Sequence, residues 1–184
     1  MEDRLQRQNR RIDEKSLDVK LENPHLAFSS KEEGMLVFGS SPTTVLMTED
    51  SGMTWEKREN IPEPGKSEHQ MVLCLAPAGQ NRFVIGYRYW GTDGQEGNIF
   101  LTKDSAKTWQ QVQMSVPEPA GMTFAYIEPI TFLQEEESLV LELCYRGNDA
   151  KGQRMEGKYK AVSNDGGETW ELVEQGEISL APFE

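Results

Sequence analysis

The chain has 184 residues, 36% of them hydrophobic, and its 31 acidic against 19 basic side chains give a net charge of −12. It is long enough for one substantial core, while the charge repels nucleic acid backbones and anionic membrane surfaces, so neither is expected as a partner. No run of about 18 apolar residues occurs and Met1 to Lys20 is charged throughout, which argues against a membrane span and a signal peptide.

Residues 1–15, with an Arg10-Arg11 pair amid Gln, Asn and acids, offer little to bury and read as a charged tail. From Ser16 the pattern turns to short extended runs: 17–21, 25–29, 35–39 and 43–47, followed by a return strand through Arg58. A second unit opens at Ile61-Pro62-Glu63-Pro64-Gly65, with strands expected near 69–76, 82–90, 97–103 and 108–113. A third opens at Val116-Pro117-Glu118-Pro119, with strands near 122–133, 138–146, 157–163 and 169–174. The chain ends on a further strand-like piece, 177–183. Cys74 and Cys144 lie inside apolar runs and read as buried free thiols.

One octapeptide recurs in all three units: Thr48 to Trp55, Thr102 to Trp109 and Ser163 to Trp170. Each reads hydroxyl, any, Asp, any, small, any, Thr, Trp, and together they hold three of the four tryptophans. The physical expectation is a tight turn. The carboxylate of Asp50, Asp104 or Asp165 accepts backbone N–H groups two or three residues on, and Gly52 or Gly167 supplies a positive φ. Thr54, Thr108 or Thr169 and then Trp55, Trp109 or Trp170 begin the return strand, the indole wedging under the turn or against a neighbouring unit. Ala106 stands where the other copies have Gly, so the second turn is expected to be distorted or tightened differently. The first two octapeptides are 54 residues apart and the two Pro-Glu-Pro linkers 55 apart. Independent features thus share one period. Four short strands per unit with no helical periodicity describe propeller blades. The expected fold is all-β, with about three blades of four antiparallel strands (roughly 16–60, 61–115 and 116–175) in one domain over 16–184.

The octapeptides resemble the Asp-box, or BNR repeat, of sialidases and related β-propellers. That resemblance implies that the boxes lie on the rim away from the ligand face, so their Asp, Thr, Ser, Gly and Trp residues are structural. It also favours an extracellular or cell-surface setting. In an up-and-down blade the loop between strands two and three lies opposite the boxes, with the connections between blades. Two such loops match, Tyr89-Trp90-Gly91-Thr92-Asp93 and Tyr145-Arg146-Gly147-Asn148-Asp149, and a long loop is expected over 148–157. Aromatic, Arg and carboxylate side chains suit sugar recognition, because a pyranose has an apolar face and a rim of hydroxyls. The ligand-binding candidates are Arg88, Trp90, Asp93, Arg146 and Asp149, with Glu63, Glu118 and His69 behind them; the bland reading makes them solvated loop residues.

Catalysis of the sialidase kind calls for an arginine cluster, a Tyr nucleophile with a partner acid, and an Asp acid/base. The family's early Arg-Ile-Pro motif has only Arg11-Ile12-Asp13 as a counterpart, within the tail. A non-catalytic module that binds a glycan or protein is therefore the leading expectation, and a fragment or degenerate form of a glycoside hydrolase the alternative. No metal or cofactor is implied. Three blades cannot readily close a ring. An open arc would expose aliphatic sheet faces and bare edges, so either a longer propeller or a homodimer is expected, the latter with the C-terminal strand of one copy completing a blade of the other.

Overall fold

Three antiparallel sheets follow one another along the chain, each from consecutive strands. The structure is a computed structural model that describes residues 21–39, 43–62, 71–88, 99–112, 114, 122–135, 137–175 and 179–180. Sheet one comprises β1 (His25–Phe28), β2 (Gly34–Phe38), β3 (Thr44–Thr48) and β4 (Glu56–Lys57). Sheet two comprises β5 (Met71–Gly79), β6 (Arg82–Arg88), β7 (Ile99–Thr102) and β8 (Gln110–Val112). Sheet three comprises β9 (Met122–Glu135), β10 (Ser138–Asp149), β11 (Arg154–Ser163) and β12 (Glu171–Gln175), and β13 (Ser179–Leu180) also pairs with β11. This is the all-β, four-strand blade arrangement that the repeats predict. The expected strand over 17–21 lies outside the described residues except for Leu21, which is not in a strand.

Strand alternation decides what each sheet faces. Met35, Val37, Val45 and Met47 of sheet one pack with Val72, Phe83, Ile85, Tyr87 and Phe100 of sheet two. The intervening residues Val84, Ile99 and Leu101 point the other way, onto Leu139, Leu141, Leu143, Tyr159 and Ala161 of sheet three. Sheet two is therefore buried on both faces, which is why Phe83-Val84-Ile85 and Ile99-Phe100-Leu101 are continuous apolar runs. The far face of sheet three is mixed: Val140 and Cys144 are buried, whereas Glu142 and Lys160 are cross-strand partners and Lys158 is exposed. The far face of sheet one holds Leu36, Phe38 and Leu46, which are buried with Leu21 and Trp55 packed against them. Leu133, the cross-strand partner of Val140, is exposed on the far face of sheet three.

One further expectation changes. The segment 148–157 is no long loop, because β10 runs to Asp149 and β11 restarts at Arg154. Asp149 closes the hairpin. Its Oδ1 accepts the amides of Lys151 and Gln153, both at 2.8 Å, and Gly152 takes a φ of 77°. The C-terminal strand lies against β11: Leu180 opposes Met155 and Ser179 opposes Glu156.

The seams between sheets carry polar fastenings besides the apolar core. Glu33, only 8% exposed, sits in the β1–β2 turn and reaches into sheet two. Its Oε1 accepts Ser105 Oγ at 2.6 Å; its Oε2 accepts the Asn81 amide at 3.0 Å and the Ser29 hydroxyl. His25 Nε2 lies 3.0 Å from the Val72 carbonyl, and Thr43 bonds the Tyr87 hydroxyl. At the next seam Arg82 Nη1 donates to the Asp165 carbonyl at 3.2 Å and to Glu168 Oε1 at 3.1 Å, while Lys103 holds the other Glu168 oxygen at 2.7 Å. Cys74 and Cys144 are free and buried, and burial pushes the Cys74 thiol up to about 12, so it is inert at neutral pH.

Replacing Glu33 by Ala removes the acceptor of the buried Ser105 hydroxyl and of the part-buried Asn81 amide across a seam and should cost about 2–4 kcal/mol in denaturant unfolding. Glu33→Gln, which keeps one acceptor oxygen, should cost less. Equal losses in the two variants would mean that the carboxylate's bonds do not hold the seam.

Candidate binding surface

Antiparallel connectivity sorts the connections onto two rims. The turns β3–β4, β7–β8 and β11–β12, which contain the octapeptides, share one rim with β1–β2, β5–β6 and β9–β10. The β10–β11 turn and the ends of β6 and β2 lie at the other.

The three octapeptide turns are wired alike. In the first, Thr48 Oγ1 donates to Asp50 Oδ1 at 2.8 Å and accepts the Gly52 amide at 2.8 Å. Asp50 then accepts the Thr54 amide at 2.8 Å and the Thr54 hydroxyl at 2.5 Å. The same bonds recur from Thr102, Ala106 and Thr108 around Asp104, and from Ser163, Gly167 and Thr169 around Asp165. The carboxylate thus reaches N–H groups three and four residues on, one further than expected. Nor is the second turn distorted. Ala106 adopts a φ of 61°, beside Gly52 at 86° and Gly167 at 88°, because its methyl group is buried in the seam core.

What does differ is the tryptophan. Trp55 and Trp170 donate Nε1 to Gly52 and Gly167 of their own turns, whereas Trp109 donates at 3.3 Å to the carbonyl of Glu59 in the neighbouring unit. Both placements expected for the indole therefore occur.

These bonds shift the acids. The Thr54 hydroxyl and amide, with help from Thr48 and the Met53 amide, hold Asp50 down from 3.8 to about 2. At Asp165 partial desolvation pushes upward, but Thr169, Ser163 and the Glu168 amide prevail and bring it to about 2; Asp104 is lowered against the same opposition. Every oxygen is occupied by the turn itself, so these carboxylates are poorly placed to exchange protons with a substrate.

On the other rim, Arg146 lies in β10, its Nη1 3.1 Å from Glu128, which is only 7% exposed, and its Nε 3.8 Å from Glu156. Asp149 caps the hairpin three residues on. The backbone of Arg88 ends β6, opposite Met71. Glu63, His69, Trp90, Asp93 and Glu118 lie outside the described residues. The structure thus joins Arg146 to two carboxylates that the sequence reading did not single out, Glu128 and Glu156. The opposition of Glu156 to Arg146 across β10–β11 becomes legible once those strands are known to run so far. Among the described residues no group of three His, Cys, Asp or Glu is placed to hold a metal ion, and no helix is long and apolar enough to cross a membrane.

Comparison with known proteins adds the following. The family model described as Sortilin-Vps10 (Sortilin, neurotensin receptor 3) matches residues 18–181. A curated relative, the vacuolar protein sorting/targeting protein 10 of Komagataella phaffii, is 24% identical over 120 residues; the match covers 64% of this chain and 7% of that protein. A protein of unknown function from Dyadobacter fermentans superposes with a TM-score of 0.55 at 14% identity, over 84% of this chain and 54% of its own. An α-L-arabinofuranosidase of Fusarium graminearum, solved with an iminosugar inhibitor, gives 0.51 at 12% identity, over 85% and 48%. The chain thus spans a small part of the curated relative and about half of each solved structure, and at these identities the structural likeness shows the fold alone.

Two expectations follow from the turns. A carboxylate whose folded pKa is depressed contributes stability above its unfolded value of 3.8 that is lost as the pH falls through about 2. Thermal stability should therefore drop across that window, and Asp165→Asn should flatten the drop; an unchanged slope would clear Asp165 of responsibility. Gly167→Ala should cost about 2–4 kcal/mol, since a Cβ there would come within 2.4 Å of Val84 Cγ1 and meet a positive φ. A melting temperature within about 1 °C of wild type would refute the crowding argument.

Proposed function

The chain belongs to the Sortilin-Vps10 family, and from that premise we propose that it is a non-catalytic β-propeller module that binds a protein ligand on the rim opposite the octapeptide turns, with a glycan as the alternative ligand. The octapeptides act as Asp-boxes, each fastening one blade. The match over residues 18–181 carries this reading. A ligand of protein character is favoured by the name of the Komagataella phaffii relative, a protein sorting/targeting protein.

The geometry favours binding over catalysis. A sialidase-type site presents arginines to the substrate's carboxylate, yet Arg146 is already engaged by Glu128 and Glu156 within its own sheet. The three Asp-box acids are spent on turn bonds. Arg88, Trp90, Asp93 and Asp149 remain the candidates for the ligand rim, with Glu63, Glu118 and His69 beside them. Such a module works within a larger ring, completed by further blades or by a second copy of this chain.

Incubation with a fluorogenic sialoside and a panel of aryl glycosides should give no turnover, and turnover abolished by Arg88→Ala would sink the non-catalytic reading. Selection from a displayed peptide library should yield binders weakened by Arg88→Ala but not by Lys103→Gln on the box rim. Hits on a glycan array with none from the peptide library would instead establish the alternative ligand.

A further inference from the structure

A cleft at the seam between the first two sheets differs in character from the candidate rim. Where β4 leaves the first box and meets the second, a cleft of about 600 Å³ is lined by Lys57, Arg58, Glu59, Asn60 and Lys107. Three cations and one carboxylate line it in a chain where acids outnumber bases by 31 to 19, and one of those cations, Arg58, is paired with Glu56 and Glu49. From the geometry we infer that this seam cleft binds a phosphate monoester or inorganic phosphate, with Lys57 and Lys107 as its charge partners.

Four observations carry the inference. Lys57 and Lys107 are exposed and have no ion pair among the described residues, although the chain has carboxylates in surplus. The other box-rim lysine at a seam, Lys103, is by contrast paired with Glu168 at 2.7 Å. The wall between them is rigid: the Arg58 amide donates to the Val45 carbonyl at 3.0 Å, and the Arg58 guanidinium is held by Glu56 at 2.7 Å and Glu49 at 3.4 Å. Its Nε is buried and lacks a partner. Finally, Trp109 gives up the bond to its own turn that Trp55 and Trp170 make and donates instead to the carbonyl of Glu59, one of the lining residues.

The charge selects the ligand class. With Arg58 neutralised by Glu56 and Glu49, two lysines act as point charges and Asn60 offers an amide donor. A phosphate monoester carries about −1.5 to −2 at neutral pH with three acceptor oxygens, which matches two ammonium groups better than a single carboxylate does.

The test uses the full chain with inorganic phosphate and a phosphoserine peptide as separate probes, followed by amide chemical shifts. Saturable shifts are expected at 57–60 and 107, weakening with added salt. The double variant Lys57→Gln/Lys107→Gln should bind roughly tenfold or more weakly, at an unchanged melting temperature, while Lys103→Gln binds as wild type. Tighter binding of the peptide than of free phosphate would place the source in a phosphorylated chain, and equal binding would identify the free anion. Shifts that do not saturate, that lie elsewhere, or that survive the double variant would overturn the assignment. None of these outcomes depends on the ligand of the opposite rim.

Discussion

The structure depends on the inability of any one four-stranded sheet to bury its own faces. Sheet two solves this by being covered twice, with Phe83, Ile85, Tyr87 and Phe100 covered by sheet one and the alternating Val84, Ile99 and Leu101 by sheet three. Isolated, it would expose both apolar faces to water, at a penalty of about 25 cal/mol for each Å². The order of sheets is therefore fixed by the alternation of residues, and each sheet's stability is inseparable from its neighbour's, as in other repeat architectures.

Much of this was legible in the sequence. The octapeptides name their own turns, because hydroxyl, Asp and Thr at fixed spacing can satisfy one another locally, and of the thirteen strands expected in the three units all but the one over 17–21 are present among the described residues. The seams were not legible. Glu33 and Ser105 are 72 residues apart and Arg82 and Glu168 are 86 apart, so no local pattern marks them as partners. The long hairpin was misread for a different reason: Gly147, Asn148, Asp149 and Gly152 look like loop composition, yet only Asp149 and Gly152 make the turn while the others stay in register. The tolerance of Ala106 for a left-handed backbone was also hidden, since it rests on the seam core around its methyl group.

The candidate rim is legible to a lesser degree. The Tyr-x-Gly-x-Asp correspondence led to Arg146 and Asp149, and both have internal roles: Arg146 balances Glu128 and Glu156, and Asp149 closes a hairpin. A motif shared between repeats identifies equivalent positions; it does not by itself distinguish a residue that shapes a loop from one that meets a ligand.

Variation among the three boxes completes the argument, because it tracks the seams and not the turns. Positions one, three and seven are fixed by bonds inside each turn and read Thr or Ser, Asp and Thr throughout. In the second and third copies positions four to six lie at the seam with the preceding sheet, and there the copies diverge. Ser105 meets Glu33, whereas a side chain at Gly166 would come within 2.8 Å of the Ala78 carbonyl and 3.0 Å of Arg82. Position six is Glu168 where Arg82 and Lys103 approach, Lys107 where the seam cleft opens, and Met53, 80% exposed, on the first box. Position eight is Trp in every copy, yet its N–H follows the seam in the second. A repeat that was uniform at these positions could fold each turn equally well but could not tell one blade's neighbour from another's. The departures from the octapeptide pattern are therefore where the order of the blades is written.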